Sequence, residues 1–182
     1  MVKNFAGKIN KFSGFTMLEM FVTIGIMSFI AAALVVYSHT GEKQIILFKE
    51  QARVLNVLAR ARNLGITSFI KAGATGPLPC GYGAHFEAPR TMIIFEDRAS
   101  DSGCADADFR YSGPAEIFES STLDRDISFD FLSLSDIVFV PPQPVIFITP
   151  EQDQAVITLT TGGNDPVTVS VTVSTANQIS VQ

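Results

Sequence analysis

The chain has 182 residues, 47% of them hydrophobic and 17% charged, with 13 basic against 18 acidic side chains and a net charge of −5. That length suits one globular domain with an appendage. The acidic balance argues against a nucleic-acid surface, which needs clustered Lys and Arg to displace phosphate counterions.

Charge is uneven from the first turn onward. The first 14 residues hold Lys3, Lys8 and Lys11 and no acid, so the remainder carries −8. A short basic head before an apolar run is an export or membrane-orientation signal, because Lys and Arg beside a span stay cytoplasmic. No residue from Met20 to Gly41 is charged. Residues 15–37 would be about 35 Å long as a helix, enough to cross a hydrocarbon core of about 30 Å. A cleaved secretory signal fits less well, since its apolar core is about 7–15 residues and a small-residue cleavage site follows.

Residues 42–71 read as an amphipathic helix. Ile45, Phe48, Ala52, Leu55, Ala59, Ile66 and Phe69 recur at steps mostly of three or four, which stack on one face. Lys49, Arg53 and Arg60 mark a wetter face, and Glu50 is placed to pair with Arg53. No proline occurs before Pro77, and Gly73, Gly76 and Pro77 form a stop signal. The expectation is one helix over about 16–71.

After Pro77 the hydrophobic period falls to 2. Strands are expected at 84–87, 91–96, 115–119, 127–132, 137–140, 145–149, 155–161, 167–173 and 179–181. The segments AVITLTT and VTVSVTV, separated by GGNDP, form the clearest antiparallel hairpin. Prolines 141, 142, 144 and 150 confine the strand between them to a sheet edge or a loop-flanked position. The fold class is therefore α+β, a long N-terminal helix packed on a mostly antiparallel sheet.

The two cysteines, Cys80 and Cys104, lie beyond the apolar run. In an exported domain a bridge between them is the natural reading, with two buried free thiols as the alternative. A zinc site needs about four ligands, and His39 and His85 show no ligand-like spacing with the cysteines.

One residue resists this account. Glu19 sits four residues into the apolar run, where an ionised carboxylate costs several kcal/mol in hydrocarbon. Gly14, Phe15, Thr16, Leu18 and Glu19 together resemble the start of type IV prepilin-like proteins, the class of pilus subunits and type II secretion pseudopilins. That signature is a basic leader ending in Gly, then an aromatic residue, and Glu four residues after it. The match covers about residues 11–37. It implies cleavage between Gly14 and Phe15 by a membrane prepilin peptidase, with methylation of the new Phe15 amine. It also implies a role for Glu19 in assembly, its carboxylate pairing with the Phe15 amine of a neighbouring subunit and setting the axial register.

The resemblance divides the chain into a leader at 1–14, a membrane and filament-core helix at 15–41, its amphipathic continuation at 42–72, and a β-rich domain at 73–182. It implies a single-pass inner-membrane protein with an exported C-terminal domain. The implied partners are the prepilin peptidase, other pilin or pseudopilin subunits, an inner-membrane assembly platform, and lipid before assembly. PCGYGAHFE followed by TMIIFEDRAS is also similar to the minor pseudopilin H and its pilus counterparts, in which a GYG turn leads into a hairpin. This points to a minor subunit rather than a shaft subunit.

Other readings rest on single features. Glu96, Asp97, Asp101, Asp106 and Asp108 form an acidic loop, and four of them (Asp97, Asp101, Asp106, Asp108) are a weak calcium candidate without EF-hand spacing. No other cofactor is expected. An enzyme would need a base, a nucleophile and an orienting group. His85 with Cys80 and Glu87 sketches one, but a disulfide would remove the nucleophile, so an enzyme is not expected. An adhesin or DNA-uptake subunit is a further alternative, with a local patch of Arg90, Arg98 and Arg110 as its basic candidate.

Overall fold

The computed structural model describes residues 14–70, 79–98, 104, 107–141, 145–163, 165–176 and 178–181, and of residues 36–40, 69 and 70 the backbone alone. Lys3, Lys8 and Lys11 of the expected leader, Asp101 and Asp106 of the acidic loop, the side chains of His39 and Phe69, and the Gly73, Gly76 and Pro77 helix stop lie outside the described residues. Two compact units make up the chain, Met1–Gly41 and Glu42–Gln182.

The only α-helix among the described residues, α1 (Met17–Ile70), begins in the first unit and ends in the second. Within it, Met17–Val35 is long and apolar enough to cross a membrane, and none of that stretch is buried inside the protein. A signal sequence near the N-terminus can also meet that length and hydropathy.

The second unit is all antiparallel. Strands β1 (Gly81–Glu87), β2 (Thr91–Asp97), β3 (Ile117–Thr122), β5 (Asp136–Val140) and β6 (Val145–Thr149) form one sheet in the order β3-β2-β1-β5-β6. Strands β4 (Ile127–Leu132), β7 (Gln154–Thr161), β8 (Thr168–Ser174) and β9 (Ile179–Val181) form another in the order β4-β7-β8-β9. The α+β class thus holds, with its strands divided between two sheets. The β7–β8 hairpin forms where GGNDP separates its strands, and Thr161 and Val167 close it through two hydrogen bonds. Strand β6, hemmed by prolines, lies at a sheet edge.

Sequence pattern explains why the sheets differ. In β7 and β8 apolar and hydroxyl residues alternate, and burial alternates with them, so one face stays wet. In β2 and β5 the apolar runs MIIF and IVFV are continuous, and both faces are covered. On one face Ala84, Phe86, Ile94, Ile137 and Phe139 join the main core with Leu47, Val54, Leu58 and Ala61 of α1 and Ile157, Leu159, Val171 and Val173 of the second sheet. On the other face Ile93, Phe95 and Val138 form a smaller core beneath Phe109 and Tyr111.

The helix presents a different face from the one expected. Leu47, Glu50, Gln51, Val54, Val57, Leu58 and Ala61 are buried, whereas Ile45 and Phe48 are 71% and 58% exposed. Ala52 and Ala59 are also exposed, and Leu55 and Ile66 only half-buried. Both stripes carry steps of three and four, so periodicity cannot choose between them. Tertiary contacts can: a Cβ on Gly65 would lie 3.1 Å from the Phe139 carbonyl oxygen, so this glycine lets the helix approach β5 closely. Arg60 pairs with Glu119 of β3 at 2.7 Å, and Arg53 donates to the Thr122 carbonyl at 3.0 Å, which fix the helix's rotation. The expected Glu50–Arg53 pair is present at 3.4 Å.

Several strand boundaries also shift, most of all at β1 and β3. The GYG expected as a turn lies inside β1. Its glycines serve packing, since a Cβ on Gly81 would meet Val138 Cγ1 at 2.8 Å and one on Gly83 would run into the Phe95 ring. Strand β3 begins at Ile117 rather than 115 because Pro114–Glu116 forms a 3-10 turn.

Candidate functional site

At the N-terminal end, Gly14, Phe15 and Thr16 are exposed and precede the helix. Thr16 is its N-cap: the Oγ1 atom accepts the Glu19 N–H at 3.3 Å, and its carbonyl accepts the Met20 N–H at 3.1 Å. Glu19 therefore occupies the third helical position, its N–H held by the Thr16 cap, and its carboxylate lies in the first turn, where the positive end of the helix dipole favours it. That second role for Glu19 was legible in the four-residue pattern itself. The Gly14–Phe15 peptide bond lies just outside the capped helix, in exposed, non-helical chain.

A second candidate site lies on the outer face of the five-stranded sheet. Cys80 and Cys104 are bridged, so the alternative of two free thiols is overturned. The bridge tethers the segment that follows, which lays Phe109 and Tyr111 over Ile93, Phe95 and Val138. Two buried carboxylates hold that segment down. Asp97, 2% exposed, accepts the Phe109 N–H through Oδ2 at 3.1 Å, and Asp136 accepts the Tyr111 N–H through Oδ1 at 3.4 Å. Phe109 has a left-handed backbone, with φ of 53°, that costs a non-glycine residue on the order of 1 kcal/mol. The Asp97 hydrogen bond and a stack on Phe147, with centroids 4.6 Å apart, offset that cost.

Asp136 is the hub. Besides Tyr111 it accepts from His85 Nδ1 at 2.7 Å and from Ser135 Oγ at 2.6 Å. Burial pushes its carboxyl up, but the hydrogen bonds from His85, Ser135 and Tyr111 outweigh burial and hold it below the ordinary value of 3.8. The His85 ring packs on Tyr111 at 4.7 Å.

Sequence reasoning placed His85 with Cys80 and Glu87; the structure pairs it with Asp136 instead, 51 residues away. Cys80 is bridged, and Glu87 is exposed at the end of β1. His85, Asp136 and Ser135 are three residues of a hydrolytic triad in the wrong order. Ser135 donates to the carboxylate and not to the imidazole, so nothing in the arrangement raises its nucleophilicity. The cluster clamps the covering segment.

The remaining sites predicted from sequence are dispersed. Arg90 and Arg98 flank opposite ends of β2, about 25 Å apart at about 3.3 Å per residue, and so share no patch. Arg98 is paired with Glu96 at 3.1 Å. Of the calcium candidates, Asp97 holds a backbone amide, and Asp108 accepts from Arg110 N–H and Ser112 Oγ. Among the described residues no three His, Cys, Asp or Glu side chains gather as a metal would need.

Arg110 lines a cleft of about 580 Å³ together with Asp108, Phe109, the outer edge of β6, Glu151 and Asp153. No protein-family model, curated protein or solved structure matches the chain.

Proposed function

We propose that this chain is a structural subunit, a minor pilin or pseudopilin, of a type IV pilus or type II secretion pseudopilus. In this reading a prepilin peptidase cuts between Gly14 and Phe15 and methylates the Phe15 amine. The mature subunit waits in the inner membrane with its domain exported, then enters a filament through α1.

The observation that carries the reading is the combination at the start of α1. An accessible Gly14–Phe15 bond stands outside a capped helix, Glu19 lies one turn from the prospective new amine, and every described side chain from Phe15 to Val35 is exposed. A helix apolar on all sides and exposed along its length calls for a partner, first lipid and then neighbouring helices. Within such a bundle an ion pair between Glu19 and a neighbour's Phe15 amine fixes register, because a one-turn slip leaves both charges buried and unpaired.

Intact-mass analysis of protein recovered from its native membrane tests the first step. The expected mass is that of a chain beginning at N-methylated Phe15; any other start removes the amine the model of assembly needs. Glu19→Ala tests the second. The variant is expected to be inserted and cleaved normally yet to be lost from sheared filaments, and incorporation equal to wild type would defeat the register role.

A further inference from the structure

The cleft beside β6 is bounded by an unpaired sheet edge. The Phe86 N–H donates to the Ser135 carbonyl at 2.9 Å, so odd-numbered residues of β5, Ile137 and Phe139, turn their backbone groups toward β1. Asp136, Val138 and Val140 then face β6, where their register partners are Thr149, Phe147 and Val145. The Thr149 carbonyl faces β5 as this alternation requires, and it accepts the Ser135 N–H at 2.8 Å where the chain enters β5. The N–H and C=O groups of Ile146 and Ile148 are left pointing to the open side, and β6 is the last strand of its sheet. Both residues line the cleft.

The walls of the cleft define what fits. Its volume of about 580 Å³ lies in the about 300–1,000 Å³ range of clefts that hold ligands. Its apolar lining is Ile146, Ile148 and the stacked pair Phe109 and Phe147. Around the opening stand three carboxylates, Asp108, Glu151 and Asp153, against one guanidinium, Arg110. No salt bridge among the described residues engages Glu151 or Asp153.

We propose that this edge binds an extended, basic segment of another polypeptide by strand addition. Main-chain hydrogen bonds to Ile146 and Ile148 supply affinity, and alternate side chains supply selectivity. Apolar residues of the segment face Ile146 and Ile148, while lysines or arginines between them meet Asp108, Glu151 and Asp153. The surface lies wholly in the exported unit, and its use does not depend on cleavage at Gly14 or on Glu19, so the two readings fail separately.

The test uses the full chain in micelles of an uncharged detergent, with three fluorescent seven-residue peptides followed by anisotropy. One alternates lysine and valine, the second alternates glutamate and valine, and the third is the lysine peptide N-methylated on alternate amides along one edge. The lysine peptide is expected to bind, and N-methylation or reversal to glutamate is expected to weaken binding at least about tenfold, a loss of about 1.4 kcal/mol. The double variant Glu151→Lys/Asp153→Lys, at two exposed positions, is expected to invert the preference between the lysine and glutamate peptides. Bound lysine peptide is expected to slow exchange of the Ile146 and Ile148 amide protons at least about tenfold. Equal binding of the N-methylated peptide would reduce the surface to charge attraction and overturn strand addition. Failure of the lysine peptide to bind, or unchanged exchange at Ile146 and Ile148, would overturn it outright.

Discussion

The two halves of α1 are both helical and both rich in apolar residues, yet they are treated oppositely. From Met17 to Val35 every side chain is exposed; beyond Glu42 the helix buries Leu47, Val54, Leu58 and Ala61 in a core shared with two sheets. Each half carries a carboxylate in apolar surroundings of its own kind. Glu19 is exposed in the first helical turn, whereas Glu50 is 1% exposed and is paired with Arg53. Local sequence suffices to make a helix in both places. Burial depends on whether a partner surface is supplied, and within its own unit the second half has one in the two sheets.

The largest expected effect that sharpens this contrast is at Leu58, fully buried against both sheets. Leu58→Ala is expected to destabilise the domain by about 3–4 kcal/mol, read from urea unfolding followed by Phe and Tyr signals of the domain. Ile24→Ala, in the exposed half, is expected to leave that transition in place. Equal losses from both would erase the distinction between the halves.

Removing the bridge comes next. Cys80→Ser/Cys104→Ser releases a constraint across a separation of 24 residues and is expected to cost about 3 kcal/mol of domain stability. Helicity of Met17–Val35 in micelles is expected to stay unchanged, read as the difference in circular dichroism between the double variant with and without that stretch.

Asp136→Asn is expected to cost about 2 kcal/mol, since it weakens charge-assisted bonds to His85 and Ser135. The accompanying pH dependence has a definite sign. The folded carboxyl is held below its ordinary value of 3.8, so its contribution is complete above that pH and is lost as pH falls through the folded value. Wild type is therefore expected to lose stability below about pH 4 more steeply than Asp136→Asn. Parallel curves would remove Asp136 as the source.

The smallest effect is the most pointed. Phe48→Ala, on the stripe expected from sequence to face the core, is expected to change stability by no more than about 0.5 kcal/mol, because Phe48 is 58% exposed. A loss near that of Leu58→Ala would restore the face expected from sequence.

Much of the architecture was legible before any coordinates. The absence of proline up to Pro77, the change of hydrophobic period, and the turn residues between alternating runs located α1 and all nine strands to within a few residues. Those signals are local, because helix and strand periods follow from backbone geometry. The proline-flanked edge position of β6 and the Glu50–Arg53 pair followed from the same logic. The candidate site was legible only in part: Cys80 and Cys104 were visible as a pair, but His85 gave no sign of Asp136.

Tertiary structure alone decided the rest, because contacts between distant residues leave no periodic trace. Two stripes of equal spacing compete on one helix, and the rotation that selects Leu47, Val54 and Leu58 over Ile45 and Phe48 comes from Gly65 meeting β5 and from Arg53 and Arg60 reaching β3. The division into two sheets, the bulky Phe95 ring that demands Gly83, and the carboxylates that pin Phe109 and Tyr111 belong to the same class. Backbone chemistry could say where each element begins and ends; which surfaces meet was settled by steric fit and by the need to satisfy buried charge.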